Sequence, residues 1–134
     1  MRKLIVAIVI GLTGCSMSAD KTVAEGAVNR FHAKLDAGQF DTIYADSSED
    51  LKSATPHEKL VALLEAVHNK LGATKSSKEQ SWNVNFHTSG TFVTLTYATS
   101  YEAGDASEQF VYRLQGTNAL LAGYHINADA LILH

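Results

Sequence analysis

Cysteine and proline are almost absent from this chain: 134 residues contain one of each, Cys15 and Pro56. A single thiol cannot form a disulfide within the chain, so the domain must be stable through burial alone, and the usual cysteine-rich zinc sites are excluded. A lone proline leaves long stretches free to run as helix or strand. Basic excess is missing too, with 11 Lys and Arg against 14 Asp and Glu. Nucleic acids and anionic surfaces reward a clustered basic face, which this composition does not supply. There is no apolar run near the roughly 20 residues needed to span a bilayer, no low-complexity tract and no internal repeat. A Gly-x-Ser-x-Gly elbow, a phosphate loop, a dinucleotide fingerprint and a calcium loop are also lacking, which removes the simplest hydrolase, nucleotide-binding and dehydrogenase readings.

What is present is clearest at the start. Met1-Arg2-Lys3 gives a positive end, Leu4 to Leu12 gives an apolar core of the roughly 7 to 15 residues typical of a secretory signal, and Leu12-Thr13-Gly14-Cys15 closes it. Small residues followed by cysteine resemble the lipobox of bacterial lipoproteins. The resemblance implies cleavage between Gly14 and Cys15 and acylation of Cys15 at the new N-terminus. Two or three acyl chains anchor firmly where one does so only marginally. Ser16, in place of the Asp that would favour inner-membrane retention in enteric lipoproteins, points to the outer membrane facing the periplasm. Loss of residues 1–14 leaves nine basic and fourteen acidic side chains, a formal charge of −5, so the lipid and not a basic patch is expected to hold the protein at the membrane.

The expected organisation is therefore a signal peptide over 1–14, a lipidated cysteine with a short tether over 15–22, and one domain over 23–134. Val23, Ala27, Val28, Phe31 and Leu35 recur at helical spacing, with Gly38 beyond. Phe40, Ile43 and Tyr44 form a short apolar stripe, and Ser47-Ser48-Glu49-Asp50 opens another helical turn. Thr55-Pro56-His57-Glu58 reads as a capping box before a stripe of Leu60, Leu63, Leu64, Val67 and Leu71, which Gly72 ends.

After Lys78 the period falls to two. Trp82, Val84 and Phe86, then Val93, Leu95 and Tyr97, then Phe110, Tyr112 and Leu114, then Leu120, Tyr124 and Ile126 mark four strands joined by short turns, the last running from Ala119 to about Leu131. The apolar face so defined must be covered, and the helices are the cover available. The fold class is thus α+β, with N-terminal helices packed on one face of a curled four-stranded antiparallel sheet.

Helices followed by a curled antiparallel sheet resemble the cone-shaped superfamily that includes ketosteroid isomerase and nuclear transport factor. The segments FHAKLDAGQFDTIYADSS and LTYATSYEAGDASEQFVYRLQGTNALLAGYHI are similar to a family of small bacterial lipoproteins of unknown function. That likeness carries no catalytic motif, and this chain has four evident strands where the cone enzymes have a larger curled sheet.

Isomerase chemistry would need a carboxylate base and paired donors in an apolar cavity. Asp36, Tyr44, Asp46 and Tyr97 are the residue types it would recruit, yet no spacing unites them. Glu65 with His68, and His32 with Asp36, fall on common helical faces and are expected to be surface contacts; His57 and His134 are expected to be exposed. No zinc spacing links the six histidines, so no metal and no cofactor is expected. The opposite sheet face gathers His87, Thr94, Thr96, Gln109, Arg113, Gln115, His125 and Asn127. It offers a flat hydrogen-bonding surface to a protein partner, with Arg113 and either Tyr101 or Tyr112 as anchors, since Arg and Tyr are enriched at interface hot spots.

The expectation is a non-enzymatic, lipid-anchored binding or scaffolding protein of the bacterial envelope. The first alternative is a periplasmic inhibitor or immunity lipoprotein that neutralises a secreted toxin or cell-wall hydrolase; the second is an enzyme or small-ligand carrier using a cone pocket.

Overall fold

In the computed structural model the described residues are 13–132, with side chains described from 17. Residues 1–12 of the expected signal peptide and the C-terminal pair 133–134, including His134, lie outside them. The first helix, α1 (Thr13–Asp36), begins earlier than its apolar spacing suggests. The segment read as a tether, 15–22, is helical from its start. It contains no breaker, Thr22 Oγ1 donates to the Ser18 carbonyl, and Lys21 pairs with Glu25 one turn on. Helix rises about 1.5 Å per residue against the 3.3 Å or more of extended chain, so this end sits closer to the domain than a stretched tether would.

Two short helices follow, α2 (Phe40–Ala45) and α3 (Glu49–Ala54), then α4 (His57–Leu71). The Ser48 hydroxyl caps α3 by accepting from the Leu51 amide. The capping box expected at Thr55 and Glu58 does not form. Thr55 is extended, as a residue before proline prefers, and Pro56 itself stands at the N-cap. Gly72 ends α4 with φ +78°, and a Cβ there would meet the Glu102 carboxylate.

Strands β1 (Thr74–His87), β2 (Gly90–Tyr101), β3 (Gly104–Gln115) and β4 (Asn118–Asn127) form one antiparallel meander in that order. The fourth strand stops at Asn127, and Asp129–Ile132 turn into a short helix, α5, where continued strand was expected. A bulge inserts Ala122 into β4, so Leu121 opposes Tyr112 and Tyr124 opposes Phe110. That bulge overturns the simple alternation at Leu120, which faces outward opposite Arg113 while Leu121 is buried.

Helix α1 contacts all four strands, burying Ala24, Ala27, Val28, Phe31 and Leu35 against Val93, Leu95, Phe110 and Tyr112. Helix α4 joins the same core with Leu60, Leu64, Val67 and Leu71 while packing on α2, α5 and α1. The cover stops short along β1. Trp82 and Phe86 share the inner face by register with Leu95 and Thr91, yet they are 38% and 62% exposed. Strand β1 runs antiparallel to α1, from Thr74 beside Asp36 to Glu79 beside Lys21. Trp82 packs beneath Lys21, whose ammonium stands 5.3 Å from its ring, while Phe86 lies four residues further on, next to last in β1.

Candidate functional site

Within the core the sheet carries one charged side chain, at an inward position of β3. Glu108 follows Ala106 and precedes Phe110 and Tyr112 in the same alternation, and it is 0% exposed. A buried carboxylate must be compensated, and each of its oxygens is. Oε1 accepts from Thr99 Oγ1 at 2.6 Å and from His32 Nε2 at 2.8 Å; Oε2 accepts from the Tyr101 and Tyr124 hydroxyls, each at 2.6 Å. An ionised carboxylate only accepts, so His32 must carry its proton on Nε2. Burial works against the charge, but the bonds from His32, Thr99 and Tyr101 outweigh it and hold Glu108 below its ordinary carboxylate range. The same burial, with the Glu108 charge beside them, pushes the Tyr101 and Tyr124 phenols well up.

This cluster is the kind of acid and paired-phenol arrangement that isomerase chemistry recruits, but it is assembled from residues the sequence reading did not select for it. His32 is buried, against the surface contact expected with Asp36, and Asp36 instead accepts from the backbone and hydroxyl of Thr74. The four residues considered for such chemistry are dispersed. Tyr44 donates to the Thr55 carbonyl, Asp46 pairs with Lys34 at the surface, and Tyr97 stands beside Glu79 in β1. Burial, reinforced by the Glu79 and Glu25 charges, pushes the Tyr97 phenol up to about 12. Glu108 itself has no exposed surface for a substrate to reach, and its four donors saturate it.

The remaining histidine pairings resolve individually. His57 bonds Asp41 at 2.7 Å near the surface, and His68 packs edge-on to Phe40 while Glu65 stays exposed. Among the described residues, no group of three or more His, Cys, Asp and Glu side chains is placed to hold a metal ion.

On the outer sheet face the register brings most of the expected set together. Thr96, Gln109 and His125 form one cross-strand row, Thr94 opposes Val111, and Asn127 opposes Ser107. Thr94, Thr96, Gln109, His125 and Asn127 make no side-chain hydrogen bond among the described residues. Ser107, Asn127, Thr96, Gln109 and His125 line a shallow hollow of about 280 Å³. His87 lies apart at the hairpin end, against the Phe92 ring, and Gln115 is exposed at the far end of β3.

The anchors expected for this face are differently placed. Arg113 is already engaged: its Nε and Nη2 donate to Asp50 at 2.6 and 3.2 Å, its Nη1 donates to the Ser89 carbonyl at 2.6 Å, and it covers the Phe92 ring. It ties the β1–β2 turn to the start of α3, and the bonded Asp50 is held below its usual carboxylate range by Arg113. Tyr101 and Tyr112 both project into the core and are buried, so neither serves the outer face. Their inward parity with Tyr97 and Phe110 is the reason.

Residues 27–124 match a family described as a protein of unknown function, DUF4019. The chain belongs to that family. The DUF4019 region contains all five members of the Glu108 cluster and Thr94, Thr96 and Gln109 of the outer face, and it excludes Cys15, His125 and Asn127. No curated protein matches the chain.

Among the described residues no helix is long and apolar enough to cross a membrane. Cys15 falls in the first turn of α1, and Gly14 beside it. The Cys15 side chain is not among those described. The signal for Glu108 was available in the sequence: a charged residue at an inward strand position, between Ala106 and Phe110. Its donors from α1 and β4 had no local signal, because they are 76 and 16 residues away.

Proposed function

We propose that this DUF4019 protein is a lipid-anchored binding or scaffolding module of the bacterial envelope, held through acyl chains on Cys15 at the outer membrane, and that it acts by contact with a protein and not by catalysis. The observation that carries the binding role is the outer-face row of Thr94, Thr96, Gln109, His125 and Asn127, whose side chains have no hydrogen-bond partner among the described residues. Groups of this kind exposed together on a rigid sheet are suited to a complementary polar surface. Saturation of the Glu108 carboxylate by four internal donors supports a non-enzymatic reading.

The envelope location is supported by the lipobox-like leader, together with Trp82 and Phe86. These two rings are exposed on the edge strand β1, Trp82 beside Lys21 in the N-terminal half of α1. Aromatic rings favour the membrane interface, and an acyl anchor at Cys15 would bring that edge to the bilayer. The polar outer face then remains open to the periplasm.

The test is a crosslinked pull-down of tagged, lipidated protein from its own envelope, read by mass spectrometry against Cys15→Ala and against a triple Thr96→Ala, Gln109→Ala, His125→Ala variant. The proposal expects resident envelope proteins recovered with the parent and lost with the triple variant. Stoichiometric recovery of a secreted toxin or hydrolase would replace scaffolding with the inhibitor reading. Equal recovery with the triple variant would remove the outer face as the binding surface. Failure of labelled palmitate to enter the protein would remove the anchor.

A further inference from the structure

A second polar group is buried beneath α1, and it lacks what Glu108 has. Tyr112 is 2% exposed, and its hydroxyl has no hydrogen-bond partner among the described residues. An orphaned buried hydroxyl is costly and asks for a partner. Tyr112 lines a hollow of about 60 Å³ between α1, the end of α2 and the β3–β4 hairpin, walled by Ala27, Phe31, Ile43 and Leu121. One water needs about 10–15 Å³ by this measure, so the space admits several waters or a group of a few heavy atoms.

The mouth of the hollow carries Arg30, Lys34 and Asp46, and opens beside a wider hollow of about 380 Å³ that shares these three residues. Lys34 and Asp46 neutralise each other at 2.8 Å. Arg30 forms no hydrogen bond or ion pair among the described residues. Its charge nevertheless reaches the phenol: burial raises the Tyr112 pKa, and Arg30 acts in the opposite direction. The phenol stays protonated and free to donate.

We propose that this hollow is a binding site for a small carboxylate, from acetate to butyrate in size, held between the Tyr112 hydroxyl and the Arg30 guanidinium. One carboxylate oxygen accepts from Tyr112 Oη, and the other meets the guanidinium fork, whose geometry matches a carboxylate. A short aliphatic tail lies against Ala27, Phe31, Ile43 and Leu121. The apolar walls and the nearby Asp46 select against a dianion such as phosphate, because a single free cation would not offset the desolvation of two charges. The site does not depend on the envelope reading, since neither Cys15 nor the outer sheet face contributes to it.

The experiment is an amide-resolved NMR titration of the full-length protein in detergent with acetate, propionate, butyrate and inorganic phosphate. The expected result is saturable shifts at Ala27, Ala119 and Leu121, with a Kd of about 1 mM or below for the best carboxylate, within reach of a ligand of so few atoms. Affinity should fall at least tenfold in Arg30→Gln and in Tyr112→Phe. Arg30 is exposed, so its variant retains the fold, and a superimposable spectrum elsewhere checks this. A hollow filled only by water would give no saturable shift. Equal affinity in both variants, shifts centred on another surface, or tighter binding of phosphate than of butyrate would each overturn the assignment.

Discussion

Removing the carboxylate at the centre of the core is the sharpest test of how this domain is held together. In Glu108→Leu the side chain keeps similar bulk, but the His32 ring N–H and the hydroxyls of Thr99, Tyr101 and Tyr124 lose their acceptor in a site without solvent. Breaking a buried charged network from one side costs about 3–5 kcal/mol, out of the roughly 5–15 kcal/mol that stabilises a domain of this size. The charge is removed with its acceptor, so the desolvation penalty of the carboxylate is relieved, which keeps the expectation within that range and below the sum of four separate bonds. In urea, with a slope of about 1–3 kcal/mol per molar, the midpoint should fall by about 2 M. The assay is equilibrium urea unfolding followed by circular dichroism. Combining Glu108→Leu with Thr99→Val, Tyr101→Phe and Tyr124→Phe should recover most of the loss, because removing both sides of a buried hydrogen bond is nearly neutral. A Glu108→Leu protein within 1 kcal/mol of the parent, on the scale where point substitutions centre, would refute the claim that this network organises the core.

The pH dependence follows from the same group: because the folded Glu108 pKa lies below its ordinary 4.5, its stabilisation is complete above that value and is lost as pH falls through the folded pKa, so acid unfolding should be shallower in Glu108→Gln. At the alkaline end, the raised phenols of Tyr101, Tyr124 and Tyr97 favour the protonated fold, so stability should decline as pH rises above the ordinary 10, and tyrosine difference absorbance should show Tyr97 ionising near 12 only where the fold survives. Phe110→Ala empties a position 0% exposed and in ring contact with Phe31, Tyr97 and Tyr124, which should cost about 3–5 kcal/mol by thermal or urea unfolding; a loss under 1 kcal/mol would count against the packing described. Trp82, the sole tryptophan and 38% exposed, should shift its emission to the blue when the lipidated protein is placed on vesicles, and unchanged emission would refute the membrane-side orientation.

Much of the architecture is written in local pattern. The spacing of Ala27, Val28, Phe31 and Leu35 suffices for a helix with one buried stripe, and the alternation through Val93, Leu95 and Tyr97 suffices for a strand with one buried face, since both depend only on backbone periodicity. Short turns between four such strands leave little choice but an antiparallel meander. The lipobox-like leader is local in the same sense.

Tertiary structure decided the rest. Leu120 and Leu121 are indistinguishable apolar neighbours until the bulge at Ala122 sends one outward and the other into the core. Trp82 and Phe86 keep the inward parity their alternation assigns, but they stand on an edge strand and remain 38% and 62% exposed, which alternation alone does not reveal. Arg113 has the parity of a free outer-face residue, yet Asp50, 63 positions away, and Ser89 occupy it. Glu108 is the fullest case. Its inward position can be counted along β3, but whether an inward carboxylate is a flaw or a keystone depends on donors from α1, β2 and β4, and only the folded chain brings those groups within hydrogen-bond distance. Periodicity is set by neighbours along the chain, whereas satisfaction of a buried charge is set by neighbours in space.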